Sequence, residues 1–172
     1  MKKQYIALIA VLCLVLAVLL SFILYNQWPF MTGKKIVLAT QPIDPFDLFR
    51  GQYMIINYEI SRINNAEGFK EGDSVFISLR EDEQGIWRKE SVSKSKPDKG
   101  DFIKGEVTGV YGNSIRVEYG IEQFFFERNA ELPTRNITVE AIVANSGRAK
   151  LVRLLYNGEP VNIKYEKFDV KS

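Results

Sequence analysis

The chain has 172 residues, of which 23 are basic and 21 acidic, with one cysteine and no histidine. Without histidine, Ser-His-Asp and Cys-His catalysis and the common His-bearing metal sites are excluded. The near-neutral balance, with no basic excess gathered in one stretch, argues against a nucleic-acid partner.

Lys2 and Lys3 precede an uncharged run from Tyr5 to Tyr25, 21 residues in which Ser21 is the polar interruption. As a helix this run measures roughly 30 Å, enough to cross the hydrocarbon core of a bilayer. A cleaved signal peptide would have a shorter apolar region and a small-x-small cleavage site, whereas this run leaves through bulky and polar residues from Phe22 to Phe30. Cys13 lies deep within the run behind Leu12, so a lipoprotein signal does not fit, and it reads as a lipid-buried small hydrophobe. The span divides the chain into a short N-terminus (1–4), an anchor helix (5–25), a juxtamembrane linker (26–34) and a domain over 35–172. Lys2, Lys3 and the α-amino group on one flank, against Lys34 and Lys35 on the other, give a shallow positive-inside bias. Residues 26 to 172 contain no cysteine, which fits a bacterial extracytoplasmic domain. The expectation is a single-pass protein of the bacterial cell membrane, N-terminus cytoplasmic and C-terminal domain outside.

All 21 acidic residues lie beyond the span, together with every basic residue except Lys2 and Lys3, so the outer part is formally neutral. Its length suits one domain. Lys35 to Thr40 is a short β-forming run stopped by Pro42, and Pro42 and Pro45 then forbid a continuing regular element, leaving Asp44 to Arg50 as a turn or one helical turn capped by Asp44. From Gln52 to Ile60 the pattern has period two, which predicts a strand with Met54, Ile56, Tyr58 and Ile60 on the core face and Tyr53, Ile55, Asn57 and Glu59 on the other.

Further strands are predicted at 74–80, 86–92, 102–111, 114–119, 121–128, 137–144, 149–156 and 161–165. Gly112-Asn113, Asn145-Ser-Gly147 and Asn157-Gly158 supply the left-handed residues of tight hairpins, and Glu81 to Gly85 reads as a longer acidic hairpin loop. Short strands at about ten-residue spacing without a long helical period predict an all-β fold, a mainly antiparallel sandwich or partly closed barrel behind the transmembrane helix.

The segment Asp44-Pro45 to Arg50-Gly51-Gln52-Tyr53-Met54-Ile55-Ile56-Asn57-Tyr58 resembles the signature of the GDYXXLXY family of membrane-anchored bacterial proteins. Tyr119-Gly120-Ile121-Glu122-Gln123-Phe124-Phe125 is similar to a second motif of that family. Gln52 stands where the family has Asp, and Ile56 where it has Leu; the second change is nearly isosteric, the first removes a carboxylate. The resemblance implies a β-rich extracytoplasmic domain accompanying a polytopic membrane protein. It implies no activity and no cofactor.

Among the residues themselves, Ser93-Lys94-Ser95-Lys96 has the types of a Ser-Lys pair, but in a polar stretch where a lysine stays protonated. Asp44, Asp47, Glu59 and Glu122 are the carboxylates that paired acid/base chemistry on cell-wall glycan would use, while capping, for Asp44 and Asp47, and solvation, for Glu59, are the simpler roles. Arg50 and Glu122 stand beside Gly51 and Gly120 in the two motifs, and the favoured role for them is an Arg-carboxylate pair joining two hairpins. Tyr53, Phe124, Phe126 and Trp87 would form an aromatic platform if they were not used as core. Binding residues are therefore sought among Asp44, Asp47, Arg50, Gln52, Tyr53 and Glu122, with neither metal nor cofactor. The favoured function is a non-enzymatic docking domain for an integral-membrane or envelope partner; the alternative is an envelope hydrolase using paired carboxylates.

Overall fold

The computed structural model describes residues 2–41, 53–125, 130–131, 136–161 and 164–165. An apolar N-terminal helix is followed by mostly antiparallel β-sheet, including a sheet curled into a half-barrel.

Helix α1 runs from Lys2 to Met31, and from Gln4 onward it is long and apolar enough to cross a membrane, with its hydrophobic side chains exposed from Tyr5 to Trp28. The 26–34 linker expected from the sequence is therefore largely helical. The apolar run ends at Tyr25, but nothing in the backbone has to end there. Pro29 removes a single N–H near the last turn, and the Asn26 side chain donates to Phe22 O while Thr32 N and Oγ1 donate to Trp28 O. The chain turns at Gly33, where a Cβ would stand 2.6 Å from Ile142 Cγ2 and 2.8 Å from Val143 O. A side chain at that point would push the helix off the sheet.

The strands, in chain order, are β1 (Lys34–Ala39), β2 (Tyr53–Ile55), β3 (Arg62–Asn64), β4 (Ser74–Glu81), β5 (Trp87–Ser93), β6 (Asp101–Tyr111) and β7 (Ser114–Glu118). They continue with β8 (Gln123–Phe125), β9 (Ala130–Glu131), β10 (Ile137–Val143), β11 (Ala149–Tyr156), β12 (Glu159–Pro160) and β13 (Lys164–Tyr165). A four-stranded sheet has the order β1-β10-β11-β12 and a five-stranded sheet the order β3-β7-β6-β4-β5; β2-β8 and β9-β13 form two-stranded ribbons. The hairpin turns stand where the Gly and Asn signals predicted them, with Gly112, Gly147, Asn157 and Gly158 at positive φ.

Alternation along the strands builds one core: Val75, Ile77 and Leu79 from β4, Ile103 and Val107 from β6, Ile115 and Val117 from β7, and Ile137, Val139, Ala141 and Val143 from β10 are all buried. Extra residues bend the ladders. Thr108 on β6, Glu90 on β5 and Val152 on β11 each lack an opposite partner, so the register shifts by one there. Such bulges increase local twist and curl the sheet.

The strand expected over Gln52–Ile60 is divided. Tyr53–Ile55 pairs with β8, Tyr58 makes an isolated bridge to Thr40, Glu59–Ser61 is a 3-10 turn, and Arg62–Asn64 pairs with β7. The stretch from Tyr53 to Asn64 thus serves three neighbours in succession, and no single straight ladder can do that. The facing survives the division: Met54, Ile56, Tyr58 and Ile60 are buried, and Ile55 and Glu59 are exposed.

Candidate functional site

The two motifs quoted from the sequence pair with each other. Tyr53 stands opposite Phe125, Met54 opposite Phe124 and Ile55 opposite Gln123, and the ribbon is extended by Ile56 N donating to Glu122 O at 2.6 Å. Gly120, at φ 77°, lets the chain turn from β7 into β8; its Cβ position is open, so the conformation and not space demands glycine.

Behind the ribbon, two buried tyrosines close the junction. Tyr58 Oη donates to Ile121 O at 2.6 Å, and Tyr119 Oη donates to Ile60 O at 2.6 Å. Their rings meet edge to face, 6.4 Å apart at 77°, a geometry that sets the positive edge of one ring against the negative face of the other. Each hydroxyl is pushed up in pKa by burial first and by the Glu122 charge second, so both stay protonated donors.

Glu122 Oε1 accepts the backbone N–H of Tyr119. Burial pushes its carboxyl above the usual carboxylate range. The Glu118 charge adds to the rise, while backbone N–H groups of Tyr119, Glu122 and Gly120 oppose it. A raised carboxyl is a trait of general acids, but Glu122 here closes its own turn. Glu59, the other described carboxylate considered for paired chemistry, is exposed and ion-paired with Arg88.

The remaining predicted site residues separate by location. Asp44, Asp47, Arg50 and Gln52 lie outside the described residues, as does the expected Arg50 to Glu122 pair, and Tyr53 is described by its backbone register alone. Of the four aromatics weighed as platform or core, the two whose side chains are described serve as core. Trp87 is core, buried beneath the Lys34 ammonium 4.4 Å from its ring centre, and Phe124 packs partly against the core. Phe125, the residue between Phe124 and Phe126 in the alternation, is 71% exposed, and Ile55, diagonal to it on the ribbon, is 52% exposed. Phe126 lies outside the described residues.

The acidic loop at residues 81–85 is a self-contained hairpin turn. Asp82 Oδ1 accepts the backbone N–H groups of Gln84 and Ile86, and its Oδ2 accepts Arg88 Nε at 3.0 Å. An open groove of 610 Å³ lies between the Gln84–Ile86 tip and β1, lined by groups such as Val37, Ala39, Thr138 and Leu155. None of its described lining residues is titratable, so acid/base chemistry has no starting point there. Among the described residues no cluster of Cys, Asp or Glu could hold a metal ion.

The family model for GDYXXLXY proteins matches residues 15–154. The chain belongs to this family. Searches of curated proteins and of solved structures find no match. The match covers both paired motifs of this GDYXXLXY chain and the second half of its helix, so anchor and ribbon fall within one family unit. The tyrosine pair is only half legible in the sequence. Alternation put Tyr58 inside, and a buried phenol needs an acceptor, but the identity of that acceptor depends on a pairing 63 residues away.

Proposed function

We propose that this chain is a membrane-anchored, non-enzymatic docking domain, held outside a bacterial cell membrane by α1, whose contact surface for an integral-membrane or envelope protein is the outer face of the paired signature ribbon. The observation that carries this reading is the exposure of Ile55 and Phe125 on that ribbon, while their neighbours Met54, Ile56 and Phe124 face the core. Large apolar side chains grouped at the surface of one motif mark contact surfaces more often than isolated ones do.

Hydrolysis by paired carboxylates has less support. Glu122 is tied to the Tyr119 backbone, and Glu59 to Arg88 on the surface.

The test is photo-crosslinking in native membranes from a benzophenone amino acid placed at position 55 or 125, with position 106 as an exposed control on another strand. One discrete adduct to a membrane or envelope protein from 55 and 125, absent from 106, is expected. Purified protein that yields no adduct and releases sugar from cell-wall glycan would replace docking by the hydrolase.

A further inference from the structure

The apolar run of α1 ends at Tyr25, and the helix continues through Phe30. At a rise of 1.5 Å per residue Phe30 stands about 7.5 Å beyond the hydrocarbon boundary, which is the level of the lipid headgroups. Two cations far away in sequence meet it there. The Arg148 guanidinium lies 5.6 Å and the Lys150 ammonium 5.8 Å from the Phe30 ring centre, and Lys150 Nζ donates to Gln27 Oε1 at 3.3 Å. Both side chains are exposed, and neither meets a carboxylate among the described residues.

Lys34 and Lys35, the basic pair that sequence alone sets beside the span, are different. Lys34 pairs with Asp101 at 2.8 Å and Lys35 approaches Glu140 at 3.9 Å. Among the described residues near the helix end, the cations without a carboxylate partner are Arg148 and Lys150 of the β10–β11 hairpin.

That hairpin joins the cations to a wider face. Gly147 O accepts Lys104 N at 2.8 Å, and a Cβ on Gly147 would lie 2.8 Å from the Phe102 ring. Phe102 meets Phe76 edge to face at 5.9 Å, Lys96 lies 5.5 Å above Phe102, and Lys104 lies 5.9 Å from Phe76. Exposed cations thus alternate with half-buried rings from the last turn of α1 across β6 and β4. The outer domain is formally neutral, so the bias comes from placement and not from total charge.

We propose that Arg148 and Lys150, extended by Lys104 and Lys96, form a collar that binds the phosphates of anionic phospholipid in the leaflet from which α1 emerges, fixing the domain against the membrane. The proposal rests on α1 as a span, and adds a lipid contact independent of the Ile55–Phe125 surface. Phospholipid is favoured over an acidic protein because the first two cations sit at headgroup height, within a screening length of the charged surface. Aromatic rings and Lys or Arg are also the groups that settle at that interface.

The test uses the full chain in nanodiscs of phosphatidylcholine, alone or mixed with phosphatidylglycerol, with amine-labelling rates read at Lys96 and Lys104. Labelling in the mixed discs is expected to fall about fivefold, the scale set by one basic group at an anionic surface, and to recover in high salt. The Arg148→Gln/Lys150→Gln variant should lose this protection, and Arg148→Lys/Lys150→Arg should keep it. Resistance to alkaline extraction in all forms tests the span separately. Equal labelling in both lipids overturns the collar, as does protection that arises only in native membranes, which would assign the face to an acidic protein.

Discussion

Tyr58 and Tyr119 hold each other's neighbours: each phenol donates at 2.6 Å to a carbonyl two residues from the other tyrosine, Ile121 O for Tyr58 and Ile60 O for Tyr119. The arrangement ties the end of the first motif to the start of the second, across about sixty residues of chain. It gives Tyr58 and Tyr119, one from each motif, a structural role, since a buried carbonyl that loses its donor is costly.

Tyr58→Phe and Tyr119→Phe should each lower stability by about 1–3 kcal/mol, the penalty of a buried acceptor left unpaired. Because both bonds close one junction, the double variant should lose less than the sum of the single losses. Denaturation of the full chain in detergent checks this, and additive losses would show that the two bonds act separately.

Glu122 makes stability fall as pH rises. Its folded pKa lies above the unfolded value, so between the two the folded state holds a proton that the unfolded state has released, and the slope of stability against pH is negative. The cost is absent below the unfolded carboxylate pKa of about 4.3 and fully present above the folded one. Glu122→Gln keeps an oxygen for the Tyr119 N–H and removes the charge. The variant should therefore gain thermal stability relative to wild type from pH 4 to pH 7, and a constant difference would refute this.

Asp82 behaves oppositely. Hydrogen bonds from Ile86 N first, then from the Arg88 side chain, hold its carboxyl below the usual range. Its contribution is present above the unfolded pKa and disappears as pH falls through the folded one. Asp82→Ala should speed amide exchange at Gln84 and Ile86, while Asp82→Asn, which keeps the accepting oxygen, should stay near wild type at neutral pH.

Gly147→Ala meets two obstacles, a φ of 85° and contacts of 2.8 Å to Phe102 and 2.9 Å to Lys104 Cβ. A cost of about 1–3 kcal/mol is expected, with faster exchange at the Lys104 amide, whose acceptor is Gly147 O. Gly112→Ala, at φ 60° with open space around it, should lose no more than about 1–2 kcal/mol. Equal losses at the two positions would show that the packing against Phe102 contributes nothing.

The sequence by itself determined the properties that depend on neighbouring residues. A charge-free run of helix length forms α1. Alternation decides that Met54, Ile56, Tyr58 and Ile60 face inward whichever strand they pair with. Glycine and asparagine mark the turns because few other residues accept positive φ, and the absence of histidine removes whole classes of chemistry. Tertiary structure alone decided what depends on pairing across sixty or more residues. The 52–60 segment breaks because β8 takes Tyr53–Ile55, Thr40 takes Tyr58, and the chain then turns through Glu59–Ser61 to bring Arg62–Asn64 onto β7. Trp87 is core because Lys34 and the first sheet close over it. Arg148 and Lys150 reach the helix end because β10 pairs with the strand that leaves it. Local pattern selects the face of a strand, but the neighbour is selected by which buried faces close one common core.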